Sequence, residues 1–209
     1  MIPHPIEVES FGIISELVDL SGFSDLEAEV LARVIHSTTD LDYPKRSLFS
    51  SGFLARALDL VKAGSPIITD VAMTAAGITG RRAISALSLE YDAAENETNS
   101  FASMRTAAEK YPTALFVIGC SPTSLEAIIA AEDSITGSAV IGIPVGFVGA
   151  AEAKRRLVDT SLEYFTNVGL TGGSAAAAAA ANALIRIDSG HRYIMKGRIV
   201  EPYHADLGQ

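Results

Sequence analysis

Four histidines stand in a chain that carries a single cysteine: His4, His36, His191 and His204. Three lie in what read as terminal tails, where a solvated surface histidine is the simplest reading. His36 differs. It closes a helix that opens on Ser24-Asp25-Leu26-Glu27, the pattern of a capping box, and it follows Arg33 by three residues. That spacing puts the two side chains next to each other on one helix face. A helix C-terminus favours the imidazolium, whereas a neighbouring guanidinium opposes it until a bound carboxylate neutralises the arginine. A histidine balanced near neutrality can act as a general acid or base. A histidine that only satisfies its own helix end has the same spacing, and on spacing alone that plainer reading is the more economical. No Ser–His–Asp or Cys–His arrangement can be inferred, and no HxH or HExxH spacing suggests a metal site.

A second group of chemistry-bearing residues follows short apolar runs. Thr69-Asp70 ends one, Cys120-Ser121-Pro122-Thr123 the next, Val145-Gly146-Phe147-Val148-Gly149 a third, and Gly172-Gly173-Ser174 opens a helix after a fourth. Gly-rich entries leave backbone N–H groups uncovered, and a helix N-terminus favours a negative group by roughly 0.3–1 kcal/mol. Taken singly, each loop is explained as well by tight packing of helix on sheet. No GxxxxGK[ST] occurs, and no GxGxxG follows a strand, so a nucleotide-binding or signalling module has little support.

The elements that would carry these residues alternate. Apolar runs at 66–71, 83–89, 113–120 and 139–145, and a more polar one at 164–168, read as strands covered on both faces. Helices are expected at 24–36, 45–62, 100–110, 124–132, 150–158 and 174–187. The pattern predicts an α/β fold of three layers, with a mostly parallel five-stranded sheet flanked by helices and ligands received beyond the carboxyl ends of the strands. The alanine run 175–181 reads as a helix lying close to the sheet. The chain reads as one domain with 189–209 as a peripheral tail.

Composition narrows the partners. A formal net charge of −9 argues against nucleic acid or an anionic membrane, while leaving room for a small anionic ligand. A lone cysteine excludes an intrachain disulfide and a Cys-rich metal site. The beginning MIPHPIEVES lacks the basic start and apolar core of a signal peptide, and no apolar run is long enough to span a membrane. A cytoplasmic protein is the expectation.

Seven segments, in order, resemble the precorrin-8X methylmutase family, which includes the cobalt-precorrin-8 methylmutases. They are Glu9-Ser10-Phe11-Gly12-Ile13-Ile14, Arg33-Val34-Ile35-His36, Ala63-Gly64-Ser65-Pro66-Ile67-Ile68-Thr69-Asp70, Thr98-Asn99-Ser100, Ile118-Gly119-Cys120-Ser121-Pro122-Thr123-Ser124-Leu125, the GxPVGFVGAAE stretch from Gly142 to Glu152, and Gly172-Gly173-Ser174. The resemblance stops at about Asp188.

The resemblance implies a flavodoxin-like homodimer that binds a tetrapyrrole near its strand ends. It also implies an isomerase of cobalamin biosynthesis, moving a methyl group from C-11 to C-12 of precorrin-8X to give hydrogenobyrinate, or acting on the cobalt form, with neither redox cofactor nor methyl donor. The family's catalytic histidine falls on His36, which would protonate the macrocycle and recover the proton. Substrate contacts fall on Ser10 and on Arg33, whose guanidinium can fork onto a carboxylate. The strand-end residues Thr69, Asp70, Cys120, Ser121, Thr123, Gly172, Gly173 and Ser174, together with Ser100, complete the expected binding set. Two departures stand out. The T-R-S motif reads Thr98-Asn99-Ser100, and G-N-A-P-T-A-L reads Gly119-Cys120-Ser121-Pro122-Thr123-Ser124-Leu125, where a thiol replaces a strong donor and acceptor. A non-catalytic tetrapyrrole carrier of the same fold would keep the pocket without requiring His36.

Overall fold

A computed structural model of the chain describes residues 4–191 and, beyond them, the backbone at 194–195 and 198–199. Pro5 opens the first helix, α1 (Pro5–Leu17), with the His4 side chain accepting the Ile6 N–H. Proline at a first helical position gives up an N–H that would be unpaired anyway. The capping box then forms as its residues dictate: Ser24 Oγ accepts from Glu27 N, Glu27 accepts from Ser24 N, and α2 runs Asp25–Thr38.

The main sheet has six strands: β1 (Ser47–Phe49), β2 (Ile67–Thr69), β3 (Ala83–Ser85), β4 (Leu115–Ile118), β5 (Ala139–Gly142) and β6 (Glu163–Asn167), in the order β1-β6-β5-β4-β2-β3. All neighbours are parallel except β1, which pairs antiparallel with β6 through Ser47 opposite Asn167. Counted in chain order, the five parallel strands run 2-1-3-4-5, the flavodoxin-like order, whose switch point lies between β2 and β4. The remaining helices are α3 (Phe53–Lys62), α4 (Ala72–Gly77), α5 (Asn99–Lys110), α6 (Pro122–Ala130), α7 (Ala150–Val158) and α8 (Ser174–Asp188). One core cluster joins α1, α2, α3 and α8 to one face of the sheet, and a second joins α5, α6 and α7 to the other.

The five expected strands are present, and β1 is a sixth. It falls inside the segment expected as a helix at 45–62, of which only Phe53–Lys62 is α-helical. The reason is local. Ser50 N donates to Tyr164 O and Ser50 Oγ accepts from Tyr164 N, so the chain is stitched to β6 instead of coiling. Gly52 lets the Glu163 carboxylate lie close to the backbone there, where a Cβ would be 2.2 Å from its oxygen and would make that side chain shift. The expected run 83–89 is also shorter as a strand, since Ala86–Ser88 turns into a 3-10 helix. From Ala176 to Ala181 the alanine run of α8 is buried, α2 covers the helix, and Gly77 brings α4 so close that an added Cβ would meet Ala178 Cβ at 2.8 Å. Past α8, β7 (Ile194–Met195) and β8 (Arg198–Ile199) pair antiparallel, beside α2 and α1 respectively. His204 lies outside the described residues. Among the described residues no helix is long and apolar enough to cross a membrane.

Candidate active site

His36 ends up where its helix face predicts, but with partners the spacing could not name. Its Nδ1 lies 2.7 Å from Ser10 Oγ, across from α1. The Phe11 ring stacks on the imidazole at 5.6 Å between centroids, and the Arg33 guanidinium sits over the same Phe11 ring, 4.8 Å from its centroid. Arg33 is only 9 % exposed and is ion-paired with Glu7, to which Arg186 also reaches at 3.2 Å. Burial lowers the His36 pKa, Arg33 and Arg186 lower it further, and Glu7 opposes them. The direction of the shift is opposite to the helix-end preference for the imidazolium. With Nδ1 held by Ser10, Nε2 is the ring nitrogen on the other edge.

Beside this pair opens a cavity of about 430 Å³ lined mostly by apolar side chains, among them Ile13, Ile14, Leu17, Ile35 and Leu41, with Glu9, Ser10, His36 and Thr39 as polar features. Ile13, Leu17 and Leu41 are exposed, so the groove is apolar and open at its rim.

The strand-end residues form a different kind of assembly, organised by Asp70. This side chain is fully buried at the switch point between β2 and β4. Its Oδ2 accepts the N–H groups of Cys120 and Ser121 at 2.6 and 2.8 Å, and Oδ1 accepts that of Val71 at 2.9 Å. Thr74 Oγ1 lies 2.9 Å from both Asp70 Oδ1 and Ser174 Oγ, tying the loop after β2 to the start of α8. Thr69 is likewise fully buried and bonds Val71 O. These two residues hold the crevice together from beneath. Cys120, Ser121, Thr123, Gly172, Gly173 and Ser174 keep surface above it. Gly119 is pressed against Gly173 and Ser174 so closely that a Cβ would meet Ser174 Cα at 2.8 Å. Thr123 bonds Thr98 and Ser121, and Ser124 bonds the Ser100 carbonyl, so the Thr98-Asn99-Ser100 segment borders the same assembly. Beside it, Phe147 and Val148 protrude, 92 % and 88 % exposed.

The structure therefore unites Ser10, Arg33 and His36 in one place and the strand-end set in another. Ser174 opens α8 and Arg186 lies twelve residues further along it, which is roughly 18 Å of helix axis at ~1.5 Å per residue. No hydrogen bond or ion pair among the described residues joins the two groups. Sequence reasoning passed over Glu7, Phe11, Arg186, Thr74, Lys154 and Asn167. Glu7 was legible in principle: once α1 is granted, Glu7 and Ser10 are three apart and face α2 together.

A doubly wound α/β fold, with a half-buried histidine in an apolar groove and a strand-end crevice organised by a buried carboxylate, is the class these features define. The chain belongs to the precorrin-8X methylmutase family, isomerases of cobalamin biosynthesis, whose family model matches residues 5–187. It is similar to the cobalt-precorrin-8 methylmutase of Methanothermobacter thermautotrophicus, 37 % identical over 191 residues covering 88 % of this chain and 93 % of the relative. It is also similar to the cobalt-precorrin-8 methylmutase of Salmonella typhimurium, 35 % identical over 201 residues with 88 % and 94 % covered. Among solved structures, the precorrin-8X methylmutase of Thermus thermophilus superposes with a TM-score of 0.80 at 33 % identity, covering 88 % of this chain and 95 % of that one.

Proposed function

We propose that this chain moves the methyl group from C-11 to C-12 of precorrin-8X or of its cobalt form, with His36 lending a proton to the macrocycle and taking it back. The observation that carries the assignment is the His36–Ser10 pair in the apolar groove. An intramolecular methyl shift has no leaving group and no hydride, so orientation and charge control are what a protein can add. A lowered pKa makes the imidazolium a stronger acid, which suits brief protonation of a weakly basic ring. Substrate carboxylates arriving beside Arg33 raise that pKa again and keep the acid form available in the complex. Arg33 exchanges Glu7 for one such carboxylate, while the exposed strand-end residues and Ser100 grip others. A non-catalytic carrier has no use for a histidine held this way.

The working assembly is a homodimer. That reading rests on the family resemblance and on the exposed apolar side chains at the groove rim and at Phe147-Val148, which suit a protein interface. Light scattering of fully active protein as a monomer at assay concentration would end it. For the chemistry, the test is His36→Ala. Turnover should fall about 10²–10⁴-fold, the usual worth of a general acid, while hydrogenobyrinate still binds. Loss of binding together with rate would make His36 a grip instead.

A further inference from the structure

Lys154, on α7, is 1 % exposed, and none of the ion pairs among the described residues includes it. Its Nζ donates to Thr171 O at 2.7 Å and to Asn167 Oδ1 at 3.1 Å. Asn167 Nδ2 in turn donates to the same carbonyl at 2.9 Å and lies 3.2 Å from Thr171 Oγ1. Burial pulls the amine down to about 8, with Arg46 adding to the effect. A buried ammonium without a carboxylate costs stability, and an apolar side chain of similar length would remove that cost. The residue therefore calls for a reason other than stability.

The reason lies one residue further along the chain. Thr171 leads directly into Gly172-Gly173-Ser174. Gly173 N donates to Ile143 O at 3.1 Å, and Gly172 passes so near that carbonyl that a Cβ would sit 2.1 Å from it. Gly146 N bonds Leu170 O, so the loop before α8 is also tied to the loop before α7. Lys154 thus links α7 and the end of β6 to the loop before α8 at the Thr171 carbonyl, and that loop is tied in turn to the loop before α7 through Leu170 O.

We infer that Lys154 is a positioning residue for the substrate grip: it spends stability to hold the 169–173 loop in the register that presents Gly172, Gly173 and Ser174 to the tetrapyrrole. The inference rests on the proposal that these residues hold the corrinoid. Lys154 acts through the loop and touches neither the macrocycle nor His36.

The test is Lys154→Met, compared with Lys154→Gln and Ser174→Ala. In Lys154→Met, the melting temperature should hold or rise. Hydrogenobyrinate should bind roughly tenfold more weakly, the scale of one lost charge-assisted hydrogen bond, and the single-turnover rate at saturating substrate should fall by much less than the affinity. Hydrogen exchange at the Gly173 amide of the free protein should quicken, a readout that needs no corrinoid. Lys154→Gln keeps a neutral donor for Thr171 O and should recover most of the affinity. The inference is overturned if exchange at Gly173 is unchanged, if melting temperature and affinity fall together, or if Lys154→Gln binds as weakly as Lys154→Met. Quickened exchange with unchanged affinity in both Lys154→Met and Ser174→Ala would instead sink the loop as a substrate grip, leaving the positioning without a function.

Discussion

The groove between α1 and α2 and the crevice at the strand ends are built on opposite principles. In the groove, apolar side chains surround a few polar ones, and the two helices meet through side chains: Ser10 with His36, and Glu7 with Arg33. In the crevice, one buried carboxylate collects backbone N–H groups from its neighbour Val71 and from a loop fifty residues away, and glycines allow backbone to touch backbone. Chemistry tuned by burial wants the first arrangement, because a proton's energy is set by its surroundings. Recognition of a large polar periphery wants the second, because fixed backbone groups need no ordering when substrate arrives.

Removing one side chain should therefore damage the two regions differently. The largest effect on stability is expected for Asp70→Ala, which removes the acceptor of three backbone N–H groups, at Val71, Cys120 and Ser121, and one partner of the Thr74 hydroxyl. A loss of about 3 kcal/mol or more in denaturant unfolding is expected, and a loss below about 1 kcal/mol would show that the crevice does not depend on this clamp. His36→Ala should change unfolding stability far less, since a half-buried imidazole with one hydrogen bond contributes about 1 kcal/mol. A comparable loss in both variants would erase the distinction between the regions.

Ser10→Ala is the next step down. It removes the partner of Nδ1 while leaving Nε2 in place, so the rearrangement rate should drop about five- to tenfold, with product affinity little changed. A drop as large as that of His36→Ala would promote the serine to an equal part in proton transfer. The smallest effect is expected for Arg33→Lys, which keeps the charge beside Glu7 but loses the planar fork. Hydrogenobyrinate affinity should weaken severalfold by titration calorimetry, and unchanged affinity would confine Arg33 to its contacts with Glu7 and Phe11.

The legible parts of the sequence were those where a local rule coincides with the tertiary outcome. The capping box fixed α2, so the Arg33–His36 neighbourhood could be read directly, and unbroken apolar runs marked the covered strands. Ser47-Leu48-Phe49 was not legible, because three residues carry no period and the stitching groups, Ser50 and Tyr164, are over a hundred residues apart. His4 reads from the sequence as a tail residue, whereas it caps the helix that Pro5 opens. Asp70 announced itself as a strand-end carboxylate, yet its inward role depends on amides at Cys120 and Ser121 that only the parallel pairing of β2 with β4 brings near. The roughly 18 Å of helix between the two site regions follows from α8 alone, once Ser174 and Arg186 are each known to belong to one of them.

The central claim is that His36 supplies the proton, and the pH dependence of rearrangement tests it most directly. The pKa of the free protein is lowered from 6.5, and the acid form is the one required. Activity therefore falls as pH rises through the folded-state pKa. Measured from about pH 8 down to about pH 5, kcat/KM for precorrin-8X should climb as pH falls, with its inflection below 6.5. The limb in kcat should lie at higher pH, because bound substrate carboxylates favour the imidazolium. His36→Ala should lose this limb altogether and run flat at its residual rate. A wild-type profile flat over the same range, or the same limb persisting in His36→Ala, would contradict the account.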